Sequence, residues 1–475
     1  MLDAALFTKW IEKEKRAAIS KKRRYLHFDP KINFLSNISD LKTFFSDPRK
    51  VAKHAFYPFI KSDIVFPRYK KTGEFNEKGK PVRKLDNKQR PIAYASHFDA
   101  FIYSWYSTVL TENYDKKTRE LGIYDCVLAY LEKNKSNIEF AHEVFEYIKS
   151  KGDCVALAFD ITSFFDGLDH EHLKKMWSIV LKEKRLPEDH FNVYKSVTSY
   201  TTVQKARVEA EFDIISKREN KIRIDRICTP EQFREKVRKG GMIEKNEFRN
   251  KVTGSTRNGQ ICGVPQGSPI SACLSNIYMI DFDVEINQVI RKLGGLYRRY
   301  CDDIVVIVNP EDASKVKGII LEAIVNYHLE INDSKTEITH FKNDGNGKLR
   351  GFDGASGTAK EKNMQYLGFE FNGENAYIRA SSLARYYRRM TARIRENLKA
   401  AYGSNSIGSK IFKKKLYNRY TEKGERNFIS YAERAYEYME SKTIYKQTKN
   451  SILKVKKKLA KKNDTFKAKR PKAMK

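Results

Sequence analysis

The sequence predicts an α+β fold, with a sheet carrying an aspartate-tipped hairpin followed by a helical, basic C-terminal region. Three observations predict it. Two aliphatic runs of strand length, Val155 to Phe159 and Ile304 to Val308, each abut aspartates, at Asp160 and at Asp302-Asp303. Residues 92–150 and the chain from Ile378 onward show helical periodicity instead. Hydrophobic residues make up 40% of the chain and aromatics 12%, which argues against disorder over most of its length.

Charge narrows the function class. The 475 residues, room for two to four structural modules, hold 92 Lys+Arg against 59 Asp+Glu, a net +33. A chain this basic repels itself unless it works beside a polyanion, and nucleic acid is the default candidate, with a membrane surface as the competitor. No apolar run approaches the roughly 18 residues of a spanning helix. The N-terminus reads as an amphipathic charged helix rather than a signal peptide, because Lys9, Glu12 and Lys13 interrupt any apolar core. The expectation is a soluble, cytoplasmic protein with no membrane partner. Six scattered cysteines, with no Cys-x-x-Cys or Cys/His cluster, argue against a zinc module and against a disulfide scaffold.

Element by element, the first 60 or so residues read as a helical extension with a basic knot at Lys21 to Arg24 and a turn at Asp29-Pro30. Phe66 to Arg90 is punctuated by Gly73, Gly79 and Pro81 and is rich in Lys and Arg, which predicts a β-hairpin or mobile loop presenting basic groups. The helical stretch 92–150 breaks near Tyr124 to Leu128. A strand ends in Asp160 and yields to a helix by Glu171. Residues 200–258 are charged and irregular, as an insertion would be. Gly263 to Met279 is a Gly/Pro loop opening a small-residue helix. The Asp302-Asp303 hairpin, a helix near Ala313 to Tyr327, and a short strand pair ending at Gly373 follow. The last stretch, Lys454 to Lys475, reads as a mobile basic tail.

In "YRRYCDDIVVIV", Tyr297 to Val308, two adjacent like charges sit between strands. On its own such a pair is more often a solvated turn. If the strand ending in Asp160 neighbours this hairpin, three carboxylates converge, at a cost of several kcal/mol unless a cation compensates. Two Mg²⁺ ions about 4 Å apart would do so and would supply the clamp for in-line phosphoryl transfer.

Five motifs in order, "FDITSFFDGLDH", "GVPQGSPIS", "YCDDIVV", "LEINDSKTEI" and "YLGFEF", resemble the palm motifs of reverse transcriptases, over roughly Lys84 to Gly373. The long connection between the first two, with "TPEQFREKVRKGG", and "KSNIEFAHEVFEYI" upstream resemble the bacterial defence-associated members, and the YCDD tip suits their type-2 group. The resemblance implies a right-hand polymerase fold: an N-terminal extension to 60, fingers over 61–153, a palm over 154–373 interrupted at 200–258, a helical thumb over 374–453 and a basic tail from 454. It implies an RNA-directed DNA polymerase copying a structured non-coding RNA of its own locus into cDNA from dNTPs, in anti-phage defence.

The same resemblance assigns residues. Asp160, Asp302 and Asp303, with the Ile161 carbonyl, would hold two Mg²⁺, with Mn²⁺ as a substitute. Phe165 would exclude a 2′-hydroxyl, selecting dNTP over NTP, although an aromatic there also reads as plain core. Pro265, Gln266 and Gly267 would floor the nucleotide site, and Lys335 would stand by the pyrophosphate as a general acid. Arg90, partnered by Lys84 or Lys88, would grip the triphosphate. Tyr366, Leu367 and Gly368, in the strand pair Tyr366 to Phe371, would form the primer grip. The alternatives are a retron or group II intron-type reverse transcriptase, untemplated or protein-primed DNA synthesis, or a non-catalytic RNA-binding scaffold. Oligomeric state is not legible.

Overall fold

The computed structural model describes residues 3–20, 25–77, 79, 81–402 and 411–468. The basic knot at Lys21 to Arg24 and the tail beyond 468 lie outside the described residues. The described strands are β1 (Phe59–Phe75), β2 (Pro81–Tyr94), β3 (Cys154–Asp160), β4 (Thr201–Gln204), β5 (Glu244–Lys245), β6 (Leu296–Tyr300), β7 (Asp303–Val308), β8 (Glu337–Asn343), β9 (Leu349–Phe352), β10 (Met364–Tyr366), β11 (Phe369–Phe371) and β12 (Ala376–Ile378).

The central sheet runs β6-β7-β3-β8-β9, antiparallel throughout. Its aliphatic runs are continuous rather than alternating because both faces are buried. Val155, Leu157 and Phe159 join Ile304, Val306 and Val308 in one core, with the helices Ile280–Lys292 and Ala313–Asn326. Cys154, Ala156, Val305 and Ile307 point the other way, into a second core with helix Asn137–Lys151, β10–β12 and helix Phe428–Met439. The sheet is thereby held rigid up to the edge where its aspartates emerge.

The basic stretch around Phe66 to Arg90 is an extended antiparallel hairpin, β1 against β2, with Ile64 opposite Arg90. Residues 200–258 are more ordered than their composition suggests. β4 pairs parallel with β1, β5 pairs with β4, and Val203, Val208, Phe212, Ile214 and Val237 bury against Leu26, Phe28 and Ile60. Charge hid this core because its apolar residues are spread thinly over short elements. From Ala380 the chain is helical, and Tyr386, Met390, Ile394 and Leu398, spaced every fourth residue, form one buried stripe. The expectation of a mobile tail from Lys454 needs correction as far as Ala468. Helix Ser451–Ala468 buries Val455 and Leu459 against that stripe. No described helix is long and apolar enough to cross a membrane.

Candidate active site

The site is built by the β3–β7 register. Asp160 lies directly opposite Asp303, with Phe159 opposite Ile304, so the two apolar runs deliver their carboxylates to the same sheet edge. Tyr300 pairs with Asp303, which leaves Cys301 and Asp302 as a two-residue turn. Cys301 sits at φ +60°, a region few non-glycine residues occupy. Its strained carbonyl accepts a 3.1 Å hydrogen bond from Arg299 Nη1. Arg299 in turn is fully buried and grips Asp283, also fully buried, through Nε to Oδ1 at 2.8 Å and Nη2 to Oδ2 at 2.6 Å. Tyr297 Oη donates to the same carboxylate at 2.6 Å. Burial alone would lower the Arg299 pKa, but Asp283 holds it above the ordinary value. Helix Ile280–Lys292 thus pins the turn that carries Asp302.

Crowding shows in the electrostatics of Asp302 and Asp303. Burial and the neighbouring charge of Asp160 raise the Asp302 pKa. Asp303, whose side chain reaches solvent at the rim, is pushed up to about 6, by burial first and then by Asp302 and Asp160. The Ile161 amide donates to the Asp302 carbonyl at 3.3 Å, and the Ile161 carbonyl receives no hydrogen bond from a described residue. Lys335, in a turn at Asp333–Lys335, places its Nζ in an ion pair with the Asp160 carboxylate. Among the described residues no group of three or more His, Cys, Asp or Glu side chains is placed to hold a metal ion by itself. The donor set still fits Mg²⁺, which binds through one or two carboxylates and completes its shell with water and substrate phosphates.

The remaining expected residues divide. Of the adjacent aromatics, Phe164 is the core residue and Phe165 stays half-buried, its backbone carbonyl accepting from the Val264 amide at 2.9 Å. The Pro265–Gly267 loop docks on β2, where the Ala93 amide donates to the Gln266 carbonyl at 2.8 Å. Gly267 has φ +117°, and a Cβ there would stand 2.8 Å from both the Ala93 oxygen and Ile92. Arg90 shares a face of β2 with Ile92 and lies over the Phe66 ring at 5.7 Å. Lys84 points to the same side but is six residues further along the strand, roughly 20 Å away, so it does not join Arg90. The Lys88 side chain lies outside the described residues.

Tyr366, Leu367 and Gly368 are brought to Asp303. A cavity of about 340 Å³ lies between this turn and Asp303 and Tyr300. Leu367 at φ +43° and Gly368 at φ +91° make the tight turn between β10 and β11. Asn137 Nδ2 clamps it, donating to the Leu367 carbonyl and to Tyr431 Oη, each at 2.9 Å. Sequence reasoning missed Asn137, Asp283, Arg299 and Arg379, the last of which lines the cavity and lowers the Asp303 pKa against the other trends. An arginine at a strand position that should face inward was the one available signal, for Arg299.

Comparisons with known proteins bear on this geometry. The family model described as reverse transcriptase (RNA-dependent DNA polymerase) matches residues 116–371, just over half of the chain. A retron Se72 reverse transcriptase from Salmonella heidelberg (strain 579083-10) is 31% identical over 90 residues, 18% of this chain and 24% of that protein. The aligned region thus spans about a quarter of that relative's length. Among solved structures, apo telomerase from Candida tropicalis gives a TM-score of 0.40 at 12% identity, covering 88% of this chain and 63% of that one. Telomerase from Candida albicans, in complex with a TWJ fragment of telomeric RNA, gives 0.34 at 12%, covering 90% and 66%. The matched interval contains β3, the Pro-Gln-Gly loop, the β6–β7 hairpin and the β10–β11 turn, the elements that meet at the aspartate edge. This chain belongs to the reverse transcriptase family.

Proposed function

We propose that the protein is an RNA-directed DNA polymerase of bacterial defence type, copying an RNA from its own locus into cDNA. The observation that carries the reading is the register pairing Asp160 with Asp303 beside the Asp302 turn, within the interval matched by the reverse transcriptase model. In this reading the fingers span 61–153, the palm 154–373, with residues 200–258 extending the fingers sheet, and the thumb 374–453, behind an N-terminal extension to 60 and ahead of the basic C-terminal helix.

Bound at the aspartate edge, two divalent ions would lower the pKa of the primer 3′-hydroxyl and neutralise the departing pyrophosphate. The chain's own residues do the rest. Asp160, Asp302 and Asp303 supply the anionic oxygens, and Arg299 keeps the turn in place. Lys335, with its ammonium at the Asp160 carboxylate, is positioned to give a proton to the pyrophosphate oxygen. Phe165 narrows the space under the sugar, Gly267 lets the Pro-Gln-Gly loop lie flat against β2, and Arg90 offers a planar two-pronged donor to the triphosphate. The Tyr366–Gly368 turn, clamped by Asn137, holds the primer end against Asp303.

The test is dNTP incorporation on an RNA template with and without Mg²⁺, using wild type and Asp302→Ala/Asp303→Ala. Incorporation that persists in the double variant sinks the assignment. A retron-type enzyme is the second reading, favoured by the 31% identity to the Salmonella protein. Sequencing the RNA and DNA recovered with the purified protein, for wild type and the double variant, tests whether one flanking RNA is copied into complementary DNA.

A further inference from the structure

Behind the Pro-Gln-Gly loop lies a cavity of about 650 Å³ whose lining, apart from Pro265 and Gln266 of that loop, has no role in the polymerase reading. One wall is the face of the β1–β2 hairpin opposite Arg90, where Lys61 and Ala93 line it. The other wall comes from the 200–258 segment, with Tyr200 and Phe248, and Asp166 and Gln266 close it toward the active site. Its volume is in the range of small-ligand sites.

Of the polar groups lining it, Glu244 accepts from Gln204 and Asn246 is bonded to the Cys262 carbonyl and the Phe248 amide, whereas Asp166, Lys61, Gln266 and Tyr200 are unspent among the described residues. The half-buried Asp166 carboxylate accepts no hydrogen bond from a described residue; burial raises its pKa, and the nearby Lys61 charge pulls it back. Lys61 and Asp166 nevertheless form no direct ion pair among the described residues, so each keeps its hydrogen-bonding capacity for a third group. The Gln266 amide and the Tyr200 hydroxyl are likewise without a described partner, and the Tyr200 hydroxyl is close enough for the Asp166 charge to raise its pKa. Phe248 is 37% exposed at the rim, a flat apolar surface beside polar groups. Half-buried polar groups left this way are costly unless something hydrogen-bonds to them.

A carboxylate beside an ammonium selects among nucleobases. Guanine presents two adjacent donors, N1–H and N2–H, next to the O6 acceptor on one edge. Adenine and cytosine offer a single donor group beside acceptors, and uracil a lone donor between two acceptors. An aromatic at the rim adds a stacking surface, the usual means of holding an unpaired base. We infer that this cavity binds a guanine base, with the Asp166 carboxylate accepting from N1–H and N2–H and Lys61 donating to O6. The base belongs either to a free guanosine nucleotide or to an unpaired guanosine of a bound RNA. The inference does not rest on the polymerase reading, since binding here needs neither metal nor primer.

Equilibrium dialysis of the full chain in EDTA tests it in two arms: GMP against AMP, and short single-stranded oligoribonucleotides differing only in one central G or A. The guanine form is expected to bind at least about tenfold more tightly in one arm or both, because a site built for hydrogen bonds rejects a base that leaves them unmade. Asp166→Asn and Lys61→Met should each erase that preference while melting temperature holds. A preference confined to the oligonucleotides assigns the base to RNA, and one seen with GMP assigns a free nucleotide. Equal binding of guanine and adenine in both arms, or a preference that survives both substitutions, overturns the inference. If Asp166→Asn does not fold, Lys61→Met, at a hairpin position with no described ion pair, decides it alone.

Discussion

Replacing Asp283 by Ala leaves the Arg299 guanidinium charged and fully buried, with its two hydrogen bonds at 2.8 and 2.6 Å gone. Breaking a buried pair in this way costs ~3–5 kcal/mol, because the surviving charge has lost its counter-ion and keeps only neutral acceptors, Asn276 Oδ1 at 3.2 Å and the Cys301 carbonyl at 3.1 Å. Tyr297 Oη also loses its acceptor at 2.6 Å, worth ~1.5 kcal/mol or more for a bond to a charged group. Against a typical stability of ~5–15 kcal/mol, the variant should be strongly destabilised. Urea unfolding at neutral pH reads this as a lowered midpoint with the slope unchanged. Adding Arg299→Met removes the orphaned charge, so the double variant should be more stable than Asp283→Ala alone. Its dNTP incorporation should stay low, since the Cys301 carbonyl has still lost its donor at 3.1 Å. The reasoning is refuted if Asp283→Ala costs less than ~1 kcal/mol, or if the two substitutions simply add.

Phe165→Ala should lower the dNTP/NTP preference by at least about tenfold, measured as a ratio of kcat/KM values; an unchanged ratio removes the gate assignment. Gly267→Ala, forcing a Cβ to 2.8 Å from the Ala93 oxygen at φ +117°, should cost ~1–3 kcal/mol and raise the KM for dNTP, whereas a wild-type melting curve would mean the loop is not docked on β2. Asp303 has a folded pKa of about 6 against an ordinary 3.8. The native state therefore holds the extra proton, and in EDTA stability should fall as pH rises from about 4 to about 6. Asp303→Asn should flatten that slope, and Mg²⁺ should stabilise wild type above pH 6 but not Asp302→Ala/Asp303→Ala; a slope unaffected by Asp303→Asn would place the titration elsewhere.

Much of the site was legible because its chemistry is written locally. A strand-length run ending in Asp160 and a hairpin tip at Asp302-Asp303 can be read from period and turn position alone, and order along the chain tied them to a family. The Phe164 and Phe165 pair left open which ring would face inward, and the packing of Phe164 answered it. Lys84 was a reasonable partner for Arg90 by composition, yet strand geometry carries it roughly 20 Å away. Residues 200–258 looked irregular because a core assembled from Leu26, Ile60 and Val203 draws one or two residues from each of several short elements.

The sequence alone determined the element types at the aspartate edge, the net charge of +33 that suits a polyanionic partner, and the family. These follow from covalent order, since side-chain period and motif spacing need no contact between distant segments. Tertiary structure decided which strand lies beside which, and hence that Asp160 faces Asp303. It also decided that Asp283 neutralises Arg299 under the Cys301 turn, that Asn137 clamps Leu367, and that Lys61 and Asp166 share a cavity. Each of those is a through-space pairing whose energy depends on burial and distance, and neither quantity exists until the chain has folded.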